Sequence, residues 1–141
     1  ADTWLKVMQI NVNGQFLLIK HLLPLLHKAA ADASILFTSS SVGRTGRAYW
    51  GAYSVSKFAT EGLMQVLAQE LENTSNIRVN AINPGATRTT MRAAAYPVEN
   101  PANVTAPSAI MPLYLHLMSP AAIGIHGQSL DAQGENAFLI D

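Results

Sequence analysis

Apolar residues at Trp4, Val7, Met8, Phe16, Leu17, Ile19, Leu22, Leu23 and Leu26 recur at three- and four-residue intervals, the period of a helix with one buried face. The pattern predicts helix from Asp2 to about Ala30, with Asp2 or Thr3 as N-cap. Two features interrupt it. Asn11-Val12-Asn13-Gly14 gathers weak helix formers, and Pro24 removes a backbone donor, so a kinked helix or two segments are expected. A bend there could release a backbone carbonyl to water; the same residues read equally as a weak spot in a long helix.

Ala33 to Ser39 is short, apolar and β-prone without alternation, which suits a strand of a parallel sheet covered on both faces. Val42 to Gly51 reads as a surface loop carrying Arg44, Arg47, Tyr49 and Trp50. A second helix is predicted from Ala52 to Asn73. Its apolar arc, from Phe58 to Leu71, covers about two-thirds of the circumference and leaves Glu61, Gln65 and Glu72 on a narrow polar strip. A face that wide needs a second apolar surface besides one sheet.

Ile77 to Ile82 is a further strand, closed by Asn83-Pro84-Gly85, and the order strand, helix, strand makes a parallel βαβ crossover. Residues 86–106 read as an extended loop with a short helix, anchored by Met91 and Tyr96, of the kind that covers a site. A helix from Pro107 to Met118, strained at Pro112, and a last strand from Gly127 to Asp131 complete the pattern. The tail from Ala132 has no firm signal.

Composition narrows the classes. The 141 residues suffice for one core, and 49% hydrophobic with 13% charged excludes a disordered chain. Nine basic residues balance nine acidic ones with no basic run, which disfavours nucleic acid and anionic membrane and favours small, neutral partners. No apolar run is long enough for a membrane span, no signal leader is visible, and the absence of cysteine fits a cytoplasmic protein. The four histidines lie on different elements without metal-type spacing, and there is no Gly-x-Ser-x-Gly elbow, so neither a metal site nor a serine hydrolase is expected. The first residue is not Met, and helical patterning begins at once, which suggests that residue 1 is not the natural start.

The candidate chemistry is Ser39-Ser40-Ser41 at a strand end, followed by Tyr53 and Lys57 four residues apart on one helical face. A phenol beside an ammonium is a proton-transfer pair. Tyr-x-x-x-Lys alone would arise in about one random sequence in ten of this composition, and a serine triplet alone is ordinary turn chemistry. Order and spacing supply the rest. Asn11 in a helix, a strand ending in Ser-Ser, Tyr53-x-x-x-Lys57, and a strand ending in Asn83-Pro84-Gly85 with Thr89 beyond it together resemble the short-chain dehydrogenase/reductase family. Ser-Ser-Val-Gly-Arg and Trp-Gly-Ala-Tyr-Ser-Val-Ser-Lys are similar to a bacterial branch close to oxoacyl-carrier reductases.

The resemblance implies an oxidoreductase that moves a hydride between NADP or NAD and a small carbonyl or alcohol substrate. It makes Tyr53 the general acid or base, its pKa lowered by Lys57, which would also bind the nicotinamide ribose. Ser40 would donate to the substrate carbonyl, with Ser41 a near rival, and Asn11 would hold a relay water through its backbone carbonyl. Pro84, Gly85, Thr87 and Thr89 would border the nicotinamide, and Tyr49, Trp50 and Met91 would shape the substrate pocket. The helices over residues 2–30 and 52–73 would pack against a partner's copies in a homodimer or homotetramer.

One departure is large. The family begins with a strand and a Thr-Gly-x-x-x-Gly-x-Gly turn that holds the cofactor pyrophosphate, and the chain has no such sequence. Residues 1–141 are therefore expected to be the C-terminal half of a single Rossmann-like α/β domain, with the last three strands of a doubly wound parallel sheet and an apolar strand edge along Ile35 to Phe37. Such a half would bind cofactor poorly and not turn over by itself. A short protein without the dinucleotide site is the other explanation, and an inactive oligomerisation or interaction module is the alternative function.

Overall fold

The computed structural model describes residues 1–29 and 32–140. Helix α1 (Asp2–Met8) passes through a π-helical turn (Gln9–Asn13) into α2 (Gly14–Leu26) without a break. The weak helix formers thus produce a widened turn in place of a kink, a form that α-helices adopt locally and often at functional sites. Pro24 lies inside α2, where it forfeits one backbone bond but does not end the helix. The predicted end at Ala30 lies outside the described residues. Ala1 occupies the N-cap position with no side-chain cap bond, so Asp2 stands in the first turn, its carboxylate facing the positive end of the helix dipole, and does not cap it.

Strand β1 (Ala33–Thr38) leads through a 3-10 turn (Ser41–Gly43) to α3 (Gly51–Leu71) and β2 (Ile77–Asn83). The short α4 (Thr90–Ala95) interrupts the following loop, then come α5 (Pro107–Met118) and β3 (Ser129–Asp131). The sheet is parallel in the order β1-β2-β3, with Ala33 opposite Ile77 and Asn83 opposite Asp131. β3 is two residues shorter than its sequence pattern, because Gly127 sits at φ +68°, outside the extended region.

β2 is the central strand and alternates between two cores. Ile77, Val79 and Ala81 pack with Phe37 against Met64, Leu67, Ala68 and Leu71 of α3, joined at the margin by Ile19, Leu23 and Leu26 of α2. Ile82 faces Leu113 and Leu117 of α5 on the other side. The result is a helix, sheet, helix sandwich, as continuous apolar strands require. Two polar side chains on the α5 face of β2 are fully engaged. Arg78 donates to Asp32 and to the carbonyls of Leu117, Ser119 and Ala122, while Asn80 pairs with Ile125 carbonyl and the Gln128 amide. They pin the α5 to β3 connection onto the sheet.

Among the described residues β1 pairs with β2 alone, so its outer backbone edge is open, although Phe37 is turned into the core. The wide apolar faces anticipated for the helices are present. Leu5, Ile10, Leu18 and Leu25 on α1 to α2, and Val66 on α3, are each more than half exposed, and α2 has no fully buried residue. No helix among the described residues is long and apolar enough to cross a membrane.

Candidate active site

A parallel sheet delivers its strand ends to one rim, and here β1 ends in Ser39-Ser40 while β2 ends in Asn83-Pro84-Gly85. The first turns of α3 rise beside them. Between these segments and α4 lies a cavity of about 1010 Å³. Ser40, Ser41, Tyr49, Trp50, Tyr53, Pro84, Gly85, Thr87, Thr89 and Met91 line it, ten of the twelve residues singled out from sequence. Lys57 and Asn11 lie behind this wall.

Tyr53 is held from three sides. The Ser40 side chain shares the cavity wall with its phenol and acts to lower its pKa, Trp50 meets its ring edge-on at 5.7 Å, and the Lys57 ammonium stands 5.6 Å from the ring centre. Lys57 Nζ donates to the Thr38 carbonyl at 2.7 Å, which ties α3 to the end of β1. The placement depends on Gly43: a Cβ there would lie 2.8 Å from the Lys57 carbonyl oxygen and 2.9 Å from Lys57 Cβ. Ser54 Oγ donates to the Val42 carbonyl at 2.6 Å and closes the same contact. The 3-10 turn and the helix are thus in backbone contact.

The electrostatics correct one expectation. Burial raises the Tyr53 pKa above its ordinary value, and the Ser40 side chain opposes this only in part. Burial likewise lowers that of Lys57. The desolvation of both groups outweighs the attraction expected between phenolate and ammonium. At neutral pH the phenol therefore holds its proton firmly.

Asn11 sits in the π turn, where its Nδ2 donates to Ser56 Oγ at 3.1 Å, and Ser56 Oγ donates to the Tyr53 carbonyl at 2.7 Å. Gln15 Oε1 accepts from Thr60 one turn further on. The widened turn is docked on α3 beside Lys57. Thr89 caps α4, its oxygen accepting from the Arg92 amide at 3.2 Å, and it also lines the cavity.

Two supports escaped the sequence reading. The first is Glu61, assigned to the polar strip of α3 but only 5% exposed. It accepts from Ser39 Oγ and, at 2.7 Å, from Ser129 Oγ, with Arg44 Nε at 3.5 Å. Arg44 also pairs with Asp131 at 2.9 Å, Asp131 accepts from Asn83 Nδ2 at 2.7 Å, and Asn83 Oδ1 accepts from the Gly85 amide. One polar chain thus joins the serine end of β1 to the Gly85 loop. The second is Gln133, in the tail that carried no signal. Its Nε2 donates to the carbonyls of Pro84 and Ala86, and its side chain packs where a Cβ on Gly85, at φ +70°, would point.

The mouth of the cavity is aromatic and basic. Trp50 and Tyr96 lie 6.0 Å apart, Arg47 donates to Tyr96 Oη at 3.0 Å, and Arg92 stacks on Tyr96 while pairing with Glu99. Among the described residues no cluster of side chains could hold a metal ion.

Residues 1–100 match the family model described as short chain dehydrogenase. The chain is 58% identical over 132 residues to the uncharacterized oxidoreductase YciK of Escherichia coli strain K12, which covers 94% of this chain and 51% of that protein. A short chain dehydrogenase from Salmonella enterica serovar Typhi superposes with a TM-score of 0.91 at 57% identity, over 95% of this chain and 54% of the other. Another from Escherichia coli CFT073, solved in complex with NADPH, gives 0.90 at 55% identity, over 95% and 55%. The chain therefore spans about half the length of the relatives it matches. A parallel sheet ending in Ser-Ser and Asn-Pro-Gly, Tyr53 and Lys57 on the helix between, and identity above half along nearly the whole chain have one common source: this protein belongs to the short chain dehydrogenase family.

Proposed function

We propose that residues 1–141 are the C-terminal, substrate-side half of one Rossmann-like domain, and that the longer protein reduces a carbonyl compound, or oxidises the corresponding alcohol, with NADP or NAD. The observation that carries this reading is the Tyr53 phenol, set beside Ser40 in the cavity wall with the Lys57 ammonium beneath its ring. In reduction Tyr53 gives its proton to the carbonyl oxygen, and Ser40 donates a hydrogen bond to the same oxygen as charge develops. Raised by burial, the phenol is fully in its acid form at neutral pH, ready to donate.

The residues present fit the nicotinamide end of such a cofactor. Pro84 and Gly85 offer a wall without bulky side chains, and Thr87 and Thr89 offer hydroxyls to a carboxamide. Lys57 would hold the ribose, and the cofactor supplies the hydride. The phosphate-binding turn is not in this sequence, so the remaining contacts belong to residues outside it. Asn11, docked against Ser56 beside Lys57, would keep a water on its carbonyl for proton resupply. Ser41, Tyr49, Trp50 and Met91 would contact the substrate, and Ser40 in preference to Ser41 would donate to it.

The exposed apolar faces of α1 to α2 and α3 support assembly into a homodimer or homotetramer. Replacing Tyr53 with Phe in the full-length protein tests the central claim. It is expected to lower carbonyl reduction by about three orders of magnitude with the melting temperature kept. Unchanged turnover would refute the role of Tyr53.

A further inference from the structure

The overall charge of the chain is zero, but the charge around the cavity is not. Of the described residues that line it, only Arg47 and Arg92 are charged, and no Asp or Glu is among them. Arg92 is neutralised by a two-point pair with Glu99, at 2.7 and 2.8 Å. Arg47 has no carboxylate within salt-bridge distance among the described residues. One of its nitrogens donates to the neutral Tyr96 phenol at 3.0 Å, and its guanidinium lies 5.4 Å from the Trp50 ring centre. The aromatic groups fix the direction of the fork but leave its charge uncompensated.

Trp50 itself touches Tyr53, so Arg47 stands across one indole from the phenol. We propose that the substrate is a carbonyl or alcohol compound bearing an anionic group, carboxylate or phosphate, which pairs with Arg47 while its reacting carbon sits at Tyr53. The inference rests on the reading of Tyr53 given above and adds the substrate class to it. A planar guanidinium with donors in a fixed fork suits either anion, and, exposed at the mouth, Arg47 is open to one entering from solvent. In reduction the carbonyl carbon receives hydride from the reduced cofactor and the oxygen receives the Tyr53 proton, leaving an alcohol and oxidised cofactor. The anionic group takes no part in bond making; it orients.

The test uses the full-length protein with NADPH and three matched aldehydes: 4-carboxybenzaldehyde, 4-formylphenyl phosphate and 4-methylbenzaldehyde. At least one anionic aldehyde is expected to exceed the methyl compound by about tenfold or more in kcat/KM, and to lose that advantage at high salt. Whichever anion leads identifies the source. Arg47→Gln should remove the preference through KM and leave 4-methylbenzaldehyde unchanged, while Arg47→Lys should restore part of it. Equal use of all three, or an equal loss for all three in Arg47→Gln, overturns the proposal and makes Arg47 a clamp for Tyr96. Calorimetric titration of the NADP complex with the same compounds decides the matter without turnover. Anion-selective, Arg47-dependent binding with no reduction would support the anion site and count against the reductase reading. Binding of none would overturn the site.

Discussion

The Lys57 ammonium donates to the Thr38 carbonyl at 2.7 Å, so the cation beneath Tyr53 is anchored to the end of β1 by the protein's own backbone. The anchor positions Lys57 without a carboxylate partner, at the cost of desolvating it. Lys57→Met removes the charge and keeps most of the packing. In the full-length protein it is expected to lower carbonyl reduction about 100-fold or more and to weaken NADPH binding, read by cofactor fluorescence. The melting temperature should change little, because the lost hydrogen bond to the Thr38 carbonyl and the relieved desolvation of the ammonium oppose each other.

The opposed pKa directions give a distinct pH signature. Tyr53 is raised above its ordinary 10.0, so its contribution to stability is complete below pH 10 and is lost as pH rises through the folded value. Lys57 is lowered from 10.5, so its contribution is complete above pH 10.5 and is lost as pH falls through the folded value. Tyr53→Phe should therefore melt like the parent at neutral pH and hold up better above pH 10. Alcohol oxidation, which needs the phenolate, should climb with pH across the alkaline range while reduction does not. Coincident melting curves for parent and variant above pH 10 would contradict the burial of the phenol.

Gly43→Ala probes the backbone contact between the 3-10 turn and α3. The new methyl would meet Lys57 backbone and Cβ atoms at 2.8 to 2.9 Å, and backbone cannot step aside as a flexible side chain can. A loss of about 1–3 kcal/mol in urea unfolding is expected, together with a larger fall in activity than the stability change explains, since Lys57 must move. Gly46→Ala serves as the control, because a Cβ there meets nothing within 4 Å and Gly46 carries no left-handed backbone.

Glu61→Gln tests the buried polar chain. Ser39, Ser129 and Arg44 all meet one oxygen, Oε1, so Gln keeps that acceptor but gives up the charge that strengthens each contact. The expected cost is about 1–3 kcal/mol in denaturant unfolding. Because the chain continues through Arg44 and Asp131 to Asn83 and Gly85, KM for NADPH should also rise in the full-length protein. A variant with parental stability would show that Ser39 and Ser129 do not depend on this carboxylate.

Why Glu61 was misplaced shows where pattern reading stops. Helical period identified the apolar arc of α3 from Phe58 to Leu71 and the strands flanking it, because burial repeats on the scale of one turn or one residue pair. Tyr53, Lys57 and Ser40 were legible from order and spacing along the chain. Glu61 is buried by hydroxyls 22 and 68 residues away, and no local period carries that information. Gln133 was hidden likewise: its partners Pro84 and Ala86 lie 47 to 49 positions back. The direction of the Tyr53 pKa was misread for a related reason, since sequence spacing reveals the neighbouring charge but not the burial that outweighs it.

The π turn at Gln9–Asn13 also has a meaning in terms of phase. A π turn holds about one residue more than the α turns on either side, so α2 runs about 100° out of step with the face α1 would otherwise impose. Deleting one residue from Gln9–Asn13 would let a continuous α-helix form and swing the two ends back into step. Asn11 would then be carried away from Ser56, and the apolar stripes of α1 and α2 would no longer share their present alignment. The extra residue works as a gear offset, setting at one point both the approach of Asn11 to α3 and the outward face of the whole helix.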